Sequence, residues 1–325
     1  MISVAMCTYN GAIFLPEQLE SIANQTVPID ELVVCDDGSS DNTLEVLRVF
    51  CETSPFPVHI HSNEKNLGSS KNFEKCLGLC KGDIIFLSDQ DDLWQKDKVE
   101  KHLALYEDQP GVDAVFSDAM MIDDDSKPMG RTIWQEIAFD ASSQKQWQDG
   151  RGYEILFRNW VVTGATLSLR KSCLPRLIPF PTHVPDLIHD GWIAFVLSLE
   201  DVISFIPETL VSYRIHQGQQ VGFGGKVQPV SLKDRMNRNR RDKLAPLVQK
   251  AAFLSGVYDL LIVLPGVQKE KLAELDLLQA HYRMRSTLPA NRVLRVPFVL
   301  KDLMNGRYDF SSKSWWLPVL GDLVE

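Results

Sequence analysis

Short apolar runs alternate with amphipathic stretches along the amino-terminal part of the chain. Ile2 to Met6 reads as a buried strand, and Thr8-Tyr9-Asn10-Gly11 breaks it before a helical pattern from Leu15 to Asn24. Glu31 to Cys35 reads as a second strand that stops at Asp36-Asp37-Gly38-Ser39-Ser40-Asp41. Asp41 is placed to cap the next helix, in which Leu44, Leu47 and Val49 recur at helical spacing. A third strand near Val58 to His61, a polar loop from Asn63 to Ser70, a helix from Lys71 to Cys80 and a strongly apolar strand from Asp83 to Leu87 follow. Strand alternating with helix predicts a parallel α/β sheet, and such sheets bind ligands at the carboxyl ends of their strands. Those ends carry four polar clusters: Thr8-Tyr9-Asn10, Asp36-Asp37, Asn66-Leu67-Gly68 and Ser88-Asp89-Gln90-Asp91-Asp92.

The order changes from Asp113. A strand to Ser117, an acidic turn Asp123-Asp124-Asp125 and a loop-rich stretch to Arg151 precede the segments Trp160 to Leu169 and Pro185 to Leu199, then a strand pair ending at Tyr213-Arg214-Ile215-His216. A Gly222 to Gly225 linker marks the expected boundary between a domain of residues 1–225 and a helical, basic extension of residues 226–325. Charge supports the division. Residues 1–232 hold 18 Lys/Arg against 33 Asp/Glu, and residues 233–325 hold 16 against 10, so the parts carry −15 and +6 within a chain of 325 residues and net charge −9. An acidic body argues against nucleic acid as the main partner. The basic tail, with six Lys/Arg against two Asp from Lys233 to Lys243 and Trp315-Trp316 further on, leaves an anionic membrane surface open. The longest apolar helical candidate, Ala251 to Gly266, is too short to span a bilayer and contains Asp259, so the expected attachment is peripheral. Six cysteines mostly inside apolar runs, and a start without the basic and apolar parts of a signal peptide, point to the cytoplasm.

Asp89-Gln90-Asp91-Asp92 directly follows an apolar strand, and carboxylates fixed at a strand end suit a divalent cation that keeps waters and bridges phosphates. The plainer alternative is that Asp92 caps a helix starting at Leu93. Asp123-Asp124-Asp125 reads as a solvated turn. Neither a Gly-x-x-x-x-Gly-Lys-Ser/Thr loop nor a Gly-x-Gly-x-x-Gly follows the first strand, which removes support for P-loop and dinucleotide folds. His59, His61, Cys76 and Cys80 lack the spacing of a zinc finger.

In series, Val4 to Gly11, Gln18 to Ile22, Gln25-Thr26, Asp36 to Thr43, Asn66-Leu67-Gly68, Asn72-Phe73, Ser88 to Trp94, His189-Asp190-Gly191-Trp192 and Tyr213 to His216 resemble the family 2 glycosyltransferases of the GT-A fold, in particular a bacterial rhamnosyltransferase-like branch. The resemblance covers about the first 220 residues in the correct order. It implies a Rossmann-like, mostly parallel sheet flanked by helices, with Thr8, Tyr9, Asn10 and Asp37 holding the nucleotide base and Gly68 and Lys71 near the nucleotide and its phosphates. Asp89 and Asp91 match its Asp-x-Asp element, with Asp91 the direct ligand to Mg²⁺ or Mn²⁺ and Asp89 on ribose or metal. Asp190 matches the catalytic base, since an alcohol attacking an anomeric carbon opposite the leaving diphosphate needs a carboxylate to take its proton. Arg214, His216, Gly164 and Trp192 are weaker matches for diphosphate or acceptor contacts, and packing explains them equally well.

The activity implied is inverting transfer of a sugar, rhamnose favoured, from a nucleoside diphosphate sugar, dTDP-rhamnose favoured, to a hydroxyl of a saccharide acceptor. The acceptor expected is lipid-linked, in cell-surface polysaccharide synthesis at the cytoplasmic face of the inner membrane. Two rivals differ in sequence. A sugar-1-phosphate nucleotidyltransferase would carry a Gly-rich basic loop after the first strand, and Thr8 to Phe14 contains no Arg or Lys. A non-catalytic carbohydrate-binding relic would lose Asp91 or Asp190, and both are present.

Overall fold

Ile2–Thr8 (β1), Glu31–Asp36 (β2), Val58–Ser62 (β3) and Ile84–Ser88 (β4) pair in parallel in the order β3-β2-β1-β4. Val4, Ala5, Met6, Val33, Val34, Ile85, Phe86 and Leu87 are buried, as continuous apolar runs in a sheet covered on both faces must be. Each large side chain among them contributes roughly 1.5 to 3 kcal/mol by leaving water. The crossovers are helices Leu15–Ala23 (α1), Thr43–Thr53 (α2) and Ser69–Leu79 (α3). This computed structural model describes residues 1–216, 218, 239–308 and 315–324. The Gly222 to Gly225 linker and the basic residues Lys233 to Arg238 lie outside them.

After β4 come the two-residue strand Leu93–Trp94 (β5), helix Lys98–Asp108 (α4), Ala114–Ile122 (β6), Pro128–Thr132 (β7), Ser168–Arg170 (β8), helix His189–Leu199 (α5) and Ile203–Arg214 (β9). They extend the sheet as β4-β8-β6-β9-β5, with β7 paired to β6. β8 runs antiparallel to both neighbours, so the sheet is mixed, with four parallel and four antiparallel pairings. The expected strand pair before His216 is the single long strand β9, parallel to β6 with register shifts near Asp118. The segment expected to be loop-rich contains short helices at Ile133–Glu136 and Ala141–Gln146.

The chain divides into two compact units, one of Met1–Gly152, Trp160–His183 and Leu187–Gly225, the other of Tyr153–Asn159, Val184–Asp186 and Lys226–Glu325. The second holds helices Arg240–Leu261 (α6), Lys269–Ser286 (α7), Val296–Met304 (α8) and Trp316–Val324 (α9). A small core of Leu288, Val299, Tyr308 and Val319 lies within it.

Candidate active site

The ends of β1 and β2 are in register at Thr8 and Asp36, and Met6 of β1 faces Ser88 of β4, so the loops after all three strands emerge together. Asp36 is the turn former of its pair. It accepts from Thr8 Oγ1 at 2.9 Å, Ser39 Oγ at 2.5 Å and the main-chain N–H groups of Gly38 and Ser39. Asp37 has another task. Its Oδ1 accepts from Leu67 N at 2.7 Å and Asn63 Nδ2 at 2.8 Å, and its Oδ2 from Gly68 N at 2.9 Å, so one buried carboxylate organises the loop before α3. A carboxylate has about four acceptor positions, which leaves Asp37 one for an incoming N–H.

Tyr9 is exposed, and its main chain is clamped by Gln90, which accepts from Tyr9 N at 2.8 Å and donates to Tyr9 O at 3.0 Å. Gln90 leaves no room beside Gly11, where a Cβ would lie 2.1 Å from its Oε1. Asn10 has a positive φ of 50° and is held by Ser39 and Ser40, which ties the first loop to the second. Gly68 has φ 78°, a conformation that favours glycine at the start of α3. Lys71 forms an ion pair with Glu74 at 2.8 Å.

Buried Gln18 of α1 donates to Ser88 Oγ at 2.8 Å and Asp89 O at 3.2 Å, pinning the strand end that carries the acidic run. Asp91 Oδ2 lies 2.8 Å from His216 Nε2. Asp92 does not cap a helix: Leu93 and Trp94 pair with β9, and Asp92 Oδ1 accepts from Arg214 N at 3.0 Å while Oδ2 is buried without a partner among the described residues. Burial first, then the negative charge of Asp91 and of Asp190, pushes the Asp89 carboxyl up to about 7. A dication supplies the charge that such a cluster lacks. Asp89 and Asp91 are the hard oxygen donors it would take, and among the described residues no three His, Cys, Asp or Glu side chains form a ready-made cage. Two carboxylates would leave the remaining positions of such a cation to water and phosphate oxygen.

Asp190 sits in the first turn of α5, nearly buried. Its Oδ2 accepts from Gly164 N at 2.9 Å and its Oδ1 from Gly191 N at 2.6 Å, which fixes the carboxylate while leaving lone pairs on both oxygens. Gly164 is close-packed here: a Cβ would lie 3.0 Å from His189 Nε2. The His189 ring stacks on Phe73 at 4.2 Å, and both its nitrogens are buried without a hydrogen-bond partner among the described residues.

Two of the weaker candidates are turned to the protein. Arg214 is fully buried, donates to Asp91 O at 2.7 Å, to the carbonyls of Asp123 and Asp124, and to Glu17 Oε2 at 2.9 Å, and lies over the Phe14 ring. It braces the acidic loop from behind, because a buried guanidinium must find several acceptors. Trp192 is 4% exposed and its indole donates to Leu177 O at 2.9 Å, so it packs in the core. Sequence reasoning missed Gln90, Asn63 and Lys98. Lys98 is fully buried, donates to Ala165 O at 2.7 Å and lies 3.9 Å from the Trp94 ring centre. Burial pushes its ammonium down to about 7, against the charges of Asp92 and Asp89, which hold it up. A lysine opening an amphipathic helix reads as solvated, so nothing in the pattern signalled it.

The family model described as Glycosyl transferase family 2 matches residues 3–171, just over half of the chain. A dTDP-rhamnosyl transferase, RfbG, from Shigella flexneri is 39% identical over 99 residues, 29% of this chain and 34% of that protein. The putative teichuronic acid biosynthesis glycosyltransferase TuaG from Bacillus subtilis is 31% identical over 103 residues, 32% of this chain and 40% of that protein. The chain thus matches well under half the length of these relatives. Among solved structures, Staphylococcus aureus TarS 1–349 in complex with UDP-GlcNAc aligns with a TM-score of 0.60 at 16% identity, covering 94% of this chain and 92% of that one. The mannosyltransferase PcManGT from Pyrobaculum calidifontis, in complex with GDP-Man and Mn²⁺, aligns with a TM-score of 0.52 at 18% identity, covering 99% and 86%. At such identities the structures speak to the fold, which is that of GT-A glycosyltransferases. The family match over β1 to β8, on a sheet whose strand ends gather the acidic run, shows that this chain belongs to glycosyl transferase family 2.

Proposed function

We propose that the protein is an inverting, divalent-cation-dependent transferase that moves a sugar from a nucleoside diphosphate donor to a saccharide hydroxyl, with Asp190 as general base. The observation that carries the reading is the fixed Asp190 carboxylate near the Asp89-Asp91 cluster, close enough that its charge helps to raise Asp89. Thr8, Tyr9, Asn10 and Asp37 would hold the base, with the Tyr9 face stacking and the remaining Asp37 acceptor position taking an imide N–H. Asp89 and Asp91 would hold Mg²⁺ or Mn²⁺, which supplies positive charge to the departing diphosphate. Asp190 would take the acceptor proton while the Gly164 and Gly191 N–H groups keep it aimed. His216 orients Asp91 through their 2.8 Å contact.

Rhamnose is the favoured sugar and dTDP-rhamnose the favoured donor, on the likeness to RfbG over part of its length. A lipid-linked acceptor in surface polysaccharide assembly, with residues 1–225 as the catalytic domain and the basic residues 226–325 on the cytoplasmic face of the inner membrane, completes the reading. A donor panel tests it. Acceptor-dependent release of nucleoside diphosphate, greatest with dTDP-rhamnose and lost on chelation, is expected. Pyrophosphate release from a nucleoside triphosphate and a sugar 1-phosphate would instead identify a nucleotidyltransferase.

A further inference from the structure

Helices α8 and α9 carry apolar residues on both sides: Val299, Leu303, Val319 and Leu323 face the small core together with one carboxylate from each helix, and a second apolar row faces outward. In α8, Asp302 is buried with Val299, whereas Val296, Phe298, Leu300 and Met304 are exposed. In α9, Asp322 is buried with Val319, whereas Trp316, Leu320 and Val324 are exposed. Both inward carboxylates have partners. Asp302 faces His281 Nδ1 at 2.8 Å and Arg307 at 3.0 Å, and Asp322 accepts from Arg285 Nε and Tyr308 OH, each at 2.7 Å. A surface helix in water buries its apolar stripe and shows a polar face outward, so two neighbouring helices that expose a second apolar row imply that these outward faces meet something other than water.

The same unit contains a cavity of about 380 Å³ lined by Arg240, Lys243, Arg285 and Arg295, with Asp322 the one acidic residue of its wall among the described residues. Leu317, Pro318 and Gly321 of α9 close one side, one residue over from the outward row Trp316, Leu320 and Val324. Asp322 pairs with Arg285. Arg240 hydrogen-bonds to the Leu288 carbonyl, and Arg295 to the carbonyls of Pro289, Ala290 and Asp322, and neither forms an ion pair among the described residues. Burial, then the charges of Arg240 and Arg292, disfavours the Arg295 cation, so the cavity wall carries positive charge that an anion would relieve.

We propose that this unit seats on an anionic phospholipid bilayer, with a lipid phosphate in the cavity of Arg240, Lys243 and Arg295 and the outward faces of α8 and α9 in the headgroup and acyl boundary. A soluble phosphate would account for the cations and leave the apolar faces unexplained; a second copy would account for the faces and leave the cations unexplained. A bilayer accounts for both, and Trp and Phe beside cations are the side chains that favour its interface. No helix among the described residues is long and apolar enough to cross a membrane, so the seat is interfacial. This deepens the peripheral placement proposed above, but it is read by lipid binding rather than by transfer, so either can fail alone.

The test is sedimentation of the full chain with vesicles of phosphatidylcholine alone or containing phosphatidylglycerol. Binding to the anionic vesicles only, weakened by salt, is expected. The pair Arg240→Gln and Lys243→Gln should weaken it about tenfold or more. Trp316→Ser with Leu320→Ser, both half exposed, should abolish it with an unchanged far-ultraviolet spectrum and unchanged donor binding. The proposal is overturned by equal binding to both vesicle types, by calorimetry in which inorganic phosphate binds the cavity while vesicles do not, or by light scattering that shows a dimer abolished by the Trp316 pair without any vesicle binding.

Discussion

At the scale of single residues, the chemistry rests on where each carboxylate finds its hydrogen bonds. Asp190 receives one N–H on each oxygen and is held rigidly, as the proposed general base requires, so on that proposal Asp190→Asn should keep the shape and the Gly164 contact while losing the base. Turnover should fall on the order of 10² to 10⁴ and donor affinity should hold, as measured by steady-state kinetics beside calorimetry. Near-native turnover would move the base elsewhere. Asp36 and Asp37 are neighbours with different work, and the sequence could say only that one of the pair would form the turn. The structure assigns the turn to Asp36, through its bonds to Gly38, Ser39 and Thr8. Arg214 shows the opposite lesson. A strand-end arginine in a motif reads as a ligand contact, yet its guanidinium is consumed by carbonyls of the acidic turn and by Glu17.

At the scale of elements, the loops at the strand ends act as one clamped layer. Asp37 joins the end of β2 to the 66–68 loop through Leu67 N and Gly68 N and to Asn63 through its side chain, so Asp37→Asn would turn an amide N–H₂ toward one side of this network and lose the contact there. Leaving a buried donor unpaired costs about 1 to 3 kcal/mol, so both the melting temperature and the donor affinity should drop, with retained affinity counting against the assignment of Asp37. The parallel half of the sheet was legible because βαβ units write themselves locally: an apolar run, a turn, an amphipathic helix. Beyond β4 only β6 and β9 were foreshadowed, and β5, β7 and β8 were not. β8 is three residues long and β5 two, and their pairing to β4, β6 and β9 depends on long-range contacts that no local pattern encodes. The clamp residues Gln90 and Asn63 escaped for the same reason, since their partners lie 81 and 26 residues away.

At the scale of the whole molecule, three histidines are buried in or near apolar surroundings, two in the first compact unit and one in the second. His102 donates or accepts through Nδ1 at Ser168 Oγ, 2.7 Å away, and its Nε2 is buried without a partner among the described residues. His189 stacks on Phe73, and His281 faces Asp302. Burial pushes the imidazole of each below its ordinary value, furthest for His102, where the Lys98 charge adds to the effect; the contact with Asp302 opposes it at His281. The unfolded chain therefore takes up protons at a higher pH than the folded one. Stability contributed by the neutral imidazoles is present above the unfolded value near 6.5 and is lost as the pH falls through it toward the folded values. Each group adds a slope of up to about 1.4 kcal/mol per pH unit in that window. The raised Asp89 and Asp92 carboxyls take up protons over the same range with the opposite sign, so the readout is the difference between chains. In urea unfolding followed from about pH 7 down to about pH 5, His102→Gln, which cannot take up the proton, should lose less stability per pH unit than the native chain even if it lowers the midpoint at neutral pH. A slope unchanged in that variant would mean that the acid sensitivity comes from groups other than His102.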